Sequence, residues 1–152
     1  MKRFARFLGT GAVALTCLVV TATSAHAGTT YHGQGVKYKR TSKSIGCQNH
    51  VYMWTEGGNK VRAYATQHCD RAVPISRPTI ALSGNNGKTF VTGGKACKAA
   101  TYCQTEYVTL KMTKGWTYRA SNAGTASTGA PGEGDAVWPD NTVARVTKKA
   151  PF

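Results

Sequence analysis

The residues able to do chemistry in this chain of 152 are few: four histidines, five cysteines and six carboxylates. Cys47-x2-His50 and His68-Cys69 together make a Cys2His2 donor set, the composition of a zinc site. On a flat hairpin the two histidines hold even positions and the two cysteines odd ones, so the four donors project to opposite faces and cannot converge on one ion. No G-x-S-x-G turn presents a nucleophilic serine. The carboxylates are scattered: Glu56 flanks a turn opposite Lys60, Glu106 is expected on the solvent side of a strand, and Glu133, Asp135 and Asp140 lie in a Gly/Pro-rich stretch. Two carboxylates at a fixed separation, as general acid–base chemistry requires, are not expected there. GEGDAVWPD also lacks the ligand spacing of a calcium loop. His50 and His68 share one hairpin face with Tyr64 and Arg62 nearby, an arrangement a small nuclease could use. A histidine pair without a motif is more commonly the solvated side of a hairpin. The expectation is therefore a protein with no enzyme activity, no metal and no cofactor.

Much of the apparent chemistry also leaves with the start of the chain. Lys2, Arg3 and Arg6, then an apolar run from Leu8 to Val20, then Ala25-His26-Ala27 compose a secretory signal over residues 1–27. Its removal takes Cys17 and leaves 125 residues with 17 basic groups, 6 acidic groups and a net charge of +11. The apolar run is too short to cross a bilayer, and a chain of this size makes one domain with a modest core. The expected location is secreted and extracellular.

Four cysteines in a small exported chain are expected to form two disulfides. The segment CQNHVYMWTE-GGN-KVRAYATQHC decides how they pair, because a three-residue Gly57-Gly58-Asn59 loop sets Glu56 against Lys60. The same register sets Cys47 against Cys69, and Met53, Val51 and Thr55 against Ala63, Ala65 and Val61 on the cysteine face. Tyr52 then faces Tyr64, and Trp54 faces Arg62, on the other side. By elimination Cys97 pairs with Cys103.

Elements able to hold these residues are all short and extended. Pro74 and Pro78 suggest an irregular crossing over 70–78. Gly84 to Lys88 signals a second hairpin between 79–83 and 89–92, and residues 104–112 alternate as a half-buried strand. Lys114-Gly115 suggests a third hairpin into Trp116, residues 122–134 read as a flexible tract, and 141–149 as a last strand. No stretch has helical spacing with caps. The expected fold is all-β: a small antiparallel β-sandwich, Ig-like or Greek-key, stapled by two disulfides and spanning 47–152, with a barrel as the alternative.

Charge and aromatics carry the remaining signal. Residues 28–46 form a basic N-terminal arm in which Tyr31, Val36 and Tyr38 alternate with Lys37, Lys39, Arg40 and Lys43, without an acid. Such a segment can add as a strand to an acidic partner, its lysines steering the encounter, or it can serve as an edge strand of its own sheet. Trp54, Trp116, Tyr118 and Trp138 could stack sugars, although large aromatics in a small sandwich are more commonly core.

A leader, a basic start, CQNHVYMWTEGGNKVRAYATQHC, and KACKAATYC ahead of a strand and a tryptophan resemble the small secreted two-disulfide β-proteins of filamentous actinobacteria. Among these the layout is similar to the adaptor subunits of umbrella toxin particles. That resemblance implies a cationic segment, here Val36 to Lys43, docking in acidic repeats of a stalk subunit. The function expected is a non-enzymatic secreted binding or adaptor protein whose arm engages an acidic protein partner in an antibacterial toxin complex. The alternative is an autonomous cationic antimicrobial protein that binds an anionic wall polymer, and less so a small secreted nuclease. No specific nucleic acid and no transmembrane segment are expected.

Overall fold

A computed structural model describes residues 29–39, 45–57, 59–127 and 138–152. The leader, Arg40, Lys43, Glu133 and Asp135 fall outside the described residues. The described residues form eleven strands: β1 (Tyr31–Gln34), β2 (Tyr38–Lys39), β3 (Gly46–Glu56), β4 (Lys60–Arg77), β5 (Thr79–Gly84), β6 (Thr89–Gly94), β7 (Cys97–Gln104), β8 (Val108–Lys111), β9 (Thr117–Asn122), β10 (Thr125–Ser127) and β11 (Ala144–Lys149). They form two antiparallel sheets not closed into a barrel. In the first, β1-β3-β4-β10 is the main path, with β2 also on β3 and with β7 and β8 on β4. The second has the order β11-β9-β5-β6.

The β3–β4 hairpin has the register that its turn and cysteines imply. Glu56 faces Lys60, Tyr52 faces Tyr64 and Cys47 faces Cys69, with a disulfide joining the last pair. Asn59 takes the left-handed conformation (φ 58°) the loop requires. Cys97 and Cys103 are bonded as well. The second hairpin, β5–β6, forms around three successive left-handed residues, Asn85, Asn86 and Gly87.

Four local expectations are corrected, two of them because the tract over 122–134 contains β10 and because the strand read over 104–112 is interrupted at 105–107 between β7 and β8. Residues 70–78 are not an irregular crossing: β4 continues through them to Arg77, shifting register on β7 between His68 and Val73. Pro74 is tolerated because it takes no rung of the β7 or the β10 ladder, where a missing N–H would matter. Pro78 then turns the chain into β5 of the second sheet. The third hairpin does not form either, since β8 pairs with β4 whereas β9 pairs with β5 and β11. Tyr118 explains the crossing between sheets. Its ring is fully buried, and its hydroxyl accepts from the Thr113 N–H and donates to the Lys111 carbonyl, each at 2.8 Å. Burying that ring stabilises only if its hydroxyl is satisfied, and the crossing backbone satisfies it.

Alternation drives the packing. Val51, Met53, Val61 and Ala63 of the first sheet meet Ile80, Leu82, Tyr118 and Ala120 of the second in the main core. Full burial of each large aliphatic side chain contributes ~1.5–3 kcal/mol. Around the disulfide, Cys47, Val73 and Ala126 make a smaller core with Ile45 and Trp138 against it. Between the two lies a buried polar seam. The Asn122 amide donates to the carbonyls of His50 and Thr66, its oxygen accepts from the Thr79 and Gly124 N–H groups, and Ser76, Gln67 and Asn49 continue the chain of bonds to Gly124. A seam so completely paired fixes how the sheets face each other, and leaving any member alone would cost ~1–3 kcal/mol.

Candidate functional site: a ring-bearing sheet face

The outer face of the first sheet collects rings. Alternation on β3 and β4 turns His50, Tyr52 and Trp54, and Arg62, Tyr64 and His68, away from the core. β1 adds His32 opposite Tyr52, β7 adds Tyr102 opposite His68, and Tyr107 leans in from the loop before β8. Eight rings from four strands and a loop are thereby in continuous contact.

Much of that contact is ring against ring. Tyr52 stacks on Tyr64 at 4.7 Å and 12°, and His32 stacks on Tyr52 at 4.6 Å and 19°. Trp54 and Tyr107 meet the Tyr64 ring edge-on. Ring faces are therefore spent inside the array, and what the row offers outward is edges and polar tips. A sugar ring stacks on an open aromatic face. Tyr102 and Tyr107, 46% and 50% exposed, stand at the ends of the array where free ring surface remains.

Arg62 locks one end. Its guanidinium carbon lies 4.8 Å from the Tyr107 ring centre and 5.8 Å from that of Trp54, while Nη1 donates to Glu56 at 2.9 Å. Among the described residues its buried Nε has no hydrogen-bond acceptor, so the rings and the single carboxylate carry the contact. Lys60 and Lys111 face each other beyond it.

Three histidines form the other end. His32 Nε2 and His50 Nδ1 are 3.0 Å apart in rings inclined by 11°, with 5.2 Å between ring centres. Those distances describe two imidazoles meeting edge to edge, one donating and one accepting. His68 meets His50 edge-to-face at 4.8 Å, and its Nε2 lies 3.1 Å from the Thr66 hydroxyl. Burial, then the proximity of His68 and His32, holds His50 down to a pKa of about 4. Burial also lowers His68, and it raises Tyr64 and Tyr102, with neighbouring tyrosines adding to both shifts. At neutral pH the His50 imidazole is uncharged and can accept a proton, but the ring nitrogen beside it belongs to another histidine rather than a carboxylate. Among the described residues no group of three or more His, Cys, Asp or Glu is placed to hold a metal ion.

The other expected site residues are distributed differently. Tyr31 packs edge-on against Phe152 with Lys148 over its ring, so it is used internally. Val36 is 57% exposed. Lys37 pairs with Asp70, which also accepts from the Gly46 N–H at 3.2 Å. Tyr38 leans on Trp138, and Lys39 pairs in β2 opposite Gly46. Residues 31–39 are thus strands and bonds of the first sheet's own edge rather than a separate extension. Trp54, Trp116, Tyr118 and Trp138 do not share a surface: Tyr118 is in the main core with Trp116 beside it, and Trp138 caps the smaller one.

Sequence reading placed Tyr52, Trp54, Tyr64, His50 and His68 on one face through the hairpin register. It missed His32, Tyr102 and Tyr107, whose positions depend on partners far away in the chain. The one available signal was that every histidine after the leader falls at an even position among short strands. Compared with protein-family models, curated proteins and solved structures, the chain matches none.

Proposed function

We propose that the protein is an exported binding module, without a reaction of its own, that docks an acidic protein partner on the ring-bearing face and the basic segment at its edge. The continuous array of eight rings on an open sheet face is the observation that carries this. Tyrosine, tryptophan and arginine are the residues that concentrate binding energy at protein interfaces. Here they are held against each other before any partner arrives, so little side-chain freedom remains to be lost on docking. Among the described residues, Glu56 and Asp70 are the acids of β3, β4, β7 and β8, and they are engaged by Arg62 and Lys37. Lys60, Lys111 and the lysines of residues 37–43 therefore favour an acidic surface. Two disulfides, and no helix among the described residues long and apolar enough to cross a membrane, are compatible with an extracellular setting. In the setting that the family resemblance implies, the partner is the acidic stalk of a toxin particle.

Capture from culture supernatant tests the reading. Mature protein should retain an acidic protein, and Tyr52→Ser with Tyr64→Ser should lose it at least tenfold while the domain stays folded. Charge reversal at Lys37, Lys39, Arg40 and Lys43 should weaken capture and flatten its salt dependence. Undiminished capture by both variants would reject the proposal.

A second reading, an autonomous cationic wall-binding protein, draws on the second sheet, whose four strands contain no acid and whose outward residues include Arg119, Arg145 and Lys149. Sedimentation with anionic vesicles or cell walls separates the two: under this reading Arg145→Gln with Lys149→Gln reduces sedimentation, and the tyrosine changes do not.

A further inference from the structure

At one end of the second sheet, away from the rings, a cavity of about 270 Å³ is lined by Ser83, Asn86, Gly87, Thr117 and Arg119. The turn that walls it is unusual, with Asn85, Asn86 and Gly87 all left-handed (φ 50°, 55° and 85°). This curl brings Asn86 and Gly87 to the rim. Ser83 and Arg119 are opposed on β5 and β9, and Thr117 is opposed to Lys149 of β11. The Arg119 side chain is exposed and makes no ion pair or hydrogen bond among the described residues. The Ser83 hydroxyl donates only slackly, at 3.4 Å, to the Arg119 carbonyl, so it can turn to a ligand. Among the described residues no carboxylate lines the cavity; Lys88 follows Gly87 in the chain, and Lys149 is opposed to Thr117.

We infer that this cavity binds a tetrahedral oxyanion, a phosphate or sulfate ester, carried on one sugar-sized unit. A guanidinium fork matches two oxygens of such an ester side by side, which a lysine cannot do. Ser83 and Thr117 supply hydroxyl donors to a remaining oxygen, and the Asn86 amide at the rim can both donate to and accept from the hydroxyls of a sugar. The volume lies at the lower end of small-molecule sites, ~300 Å³, which admits one ring and excludes a chain buried along its length. The site is independent of the ring-bearing face and does not rest on what docks there.

Amide and arginine side-chain resonances of the labelled mature protein, followed at fixed ionic strength, test it with four probes: glucose, glucose 6-phosphate, glucose 6-sulfate and inorganic phosphate. Saturable shifts at Asn86, Gly87 and the Arg119 side chain are expected with at least one ester, at least fivefold tighter than with inorganic phosphate and absent with glucose. Which ester binds more tightly identifies the source of the oxyanion. Arg119→Gln should weaken binding at least tenfold, Arg119→Lys several-fold, and Arg145→Gln not at all. Equal responses at Arg119 and Arg145 would be ionic screening and would overturn the site, as would equal shifts with glucose and its esters. Should Arg119→Gln perturb the fold, the residues that shift in the unmodified protein decide the question.

Discussion

The two outward faces of this sandwich are built on opposite principles. The first sheet presents rings that hold each other, with Arg62 clamped between Glu56, Trp54 and Tyr107. The second presents Ser83, Thr117, Arg119, Ser121, Arg145 and Thr147, small hydroxyls and guanidinium groups of which Arg145 donates to the Asp140 carbonyl at 3.3 Å and Arg119 to no group among the described residues, with Phe90 as the large ring of its edge strand. One face is organised before anything binds, and its energy lies in contacts already made. The other is open, and its donors wait for an acceptor. Positive charge alone does not distinguish them, since both are cationic. What differs is whether the side chains spend their interactions on one another.

The sharpest test of that contrast removes side chains from each face in pairs. Tyr52→Ala with Tyr64→Ala should destabilise the domain by ~2–3 kcal/mol in urea unfolding, since each ring loses its stacking partner as well as buried area. Arg119→Ala with Thr147→Ala should stay within ~0.5 kcal/mol of the parent. Equal losses on the two faces would erase the distinction.

Acid should act on the first face alone. The folded-state pKa of His50, about 4, lies below its ordinary value of 6.5, so the unfolded chain binds more protons between these values. Stability from this group is complete above pH 6.5 and is lost as pH falls toward 4; solvent screening of this partly exposed ring limits the loss to ~1–2 kcal/mol. His50→Gln should flatten the melting temperature between pH 6.5 and 4. An unchanged slope in that variant would place the acid sensitivity elsewhere.

Smaller effects follow from the charges. Arg62→Ala should cost ~1 kcal/mol through loss of its ring contacts and ion pair, with Arg62→Lys restoring only part, whereas Arg145→Ala should be close to neutral. Lys37→Ala should cost ~0.5 kcal/mol, because its pair with Asp70 is exposed. Salt should diminish that last effect most, and a salt-insensitive Lys37 would mean that its pairing contributes nothing.

How legible all this was in the sequence depended on distance along the chain. The β3–β4 hairpin could be read residue by residue because a short turn, a charge pair and two cysteines agree on one register. The all-β sandwich followed from alternation and turn residues. Sheet membership did not: Lys114-Gly115 looks like any hairpin turn, yet the chain crosses there between sheets because Tyr118 is buried and needs the backbone of 111–113 for its hydroxyl. Pro74 suggested a break that β4 avoids by leaving that position out of its ladders. His32 was the largest omission at the site. Nothing near it in sequence says that β1 will lie along β3 and deliver its ring between His50 and Tyr52. The basic segment was legible as composition, and an edge strand was one of the two readings it offered, whereas the strand it would join, β3, was not.

That attachment bears on how the molecule withstands a pull. β1 is paired along its whole length with β3, the Gly35 N–H then bonds to Asn49 and the Val36 N–H to Asn141 on the far side. Gly33 and Gly35 lie so close to the carbonyls of Arg145 and Thr142 that any Cβ would collide with them. Tension applied upstream of Thr29 would be resisted by the β1–β3 ladder, by the bonds of Gly35 and Val36, and by the close packing of Gly33 and Gly35 on Arg145 and Thr142. The two glycines that let the strand sit so deeply therefore set how firmly the start of the domain is held.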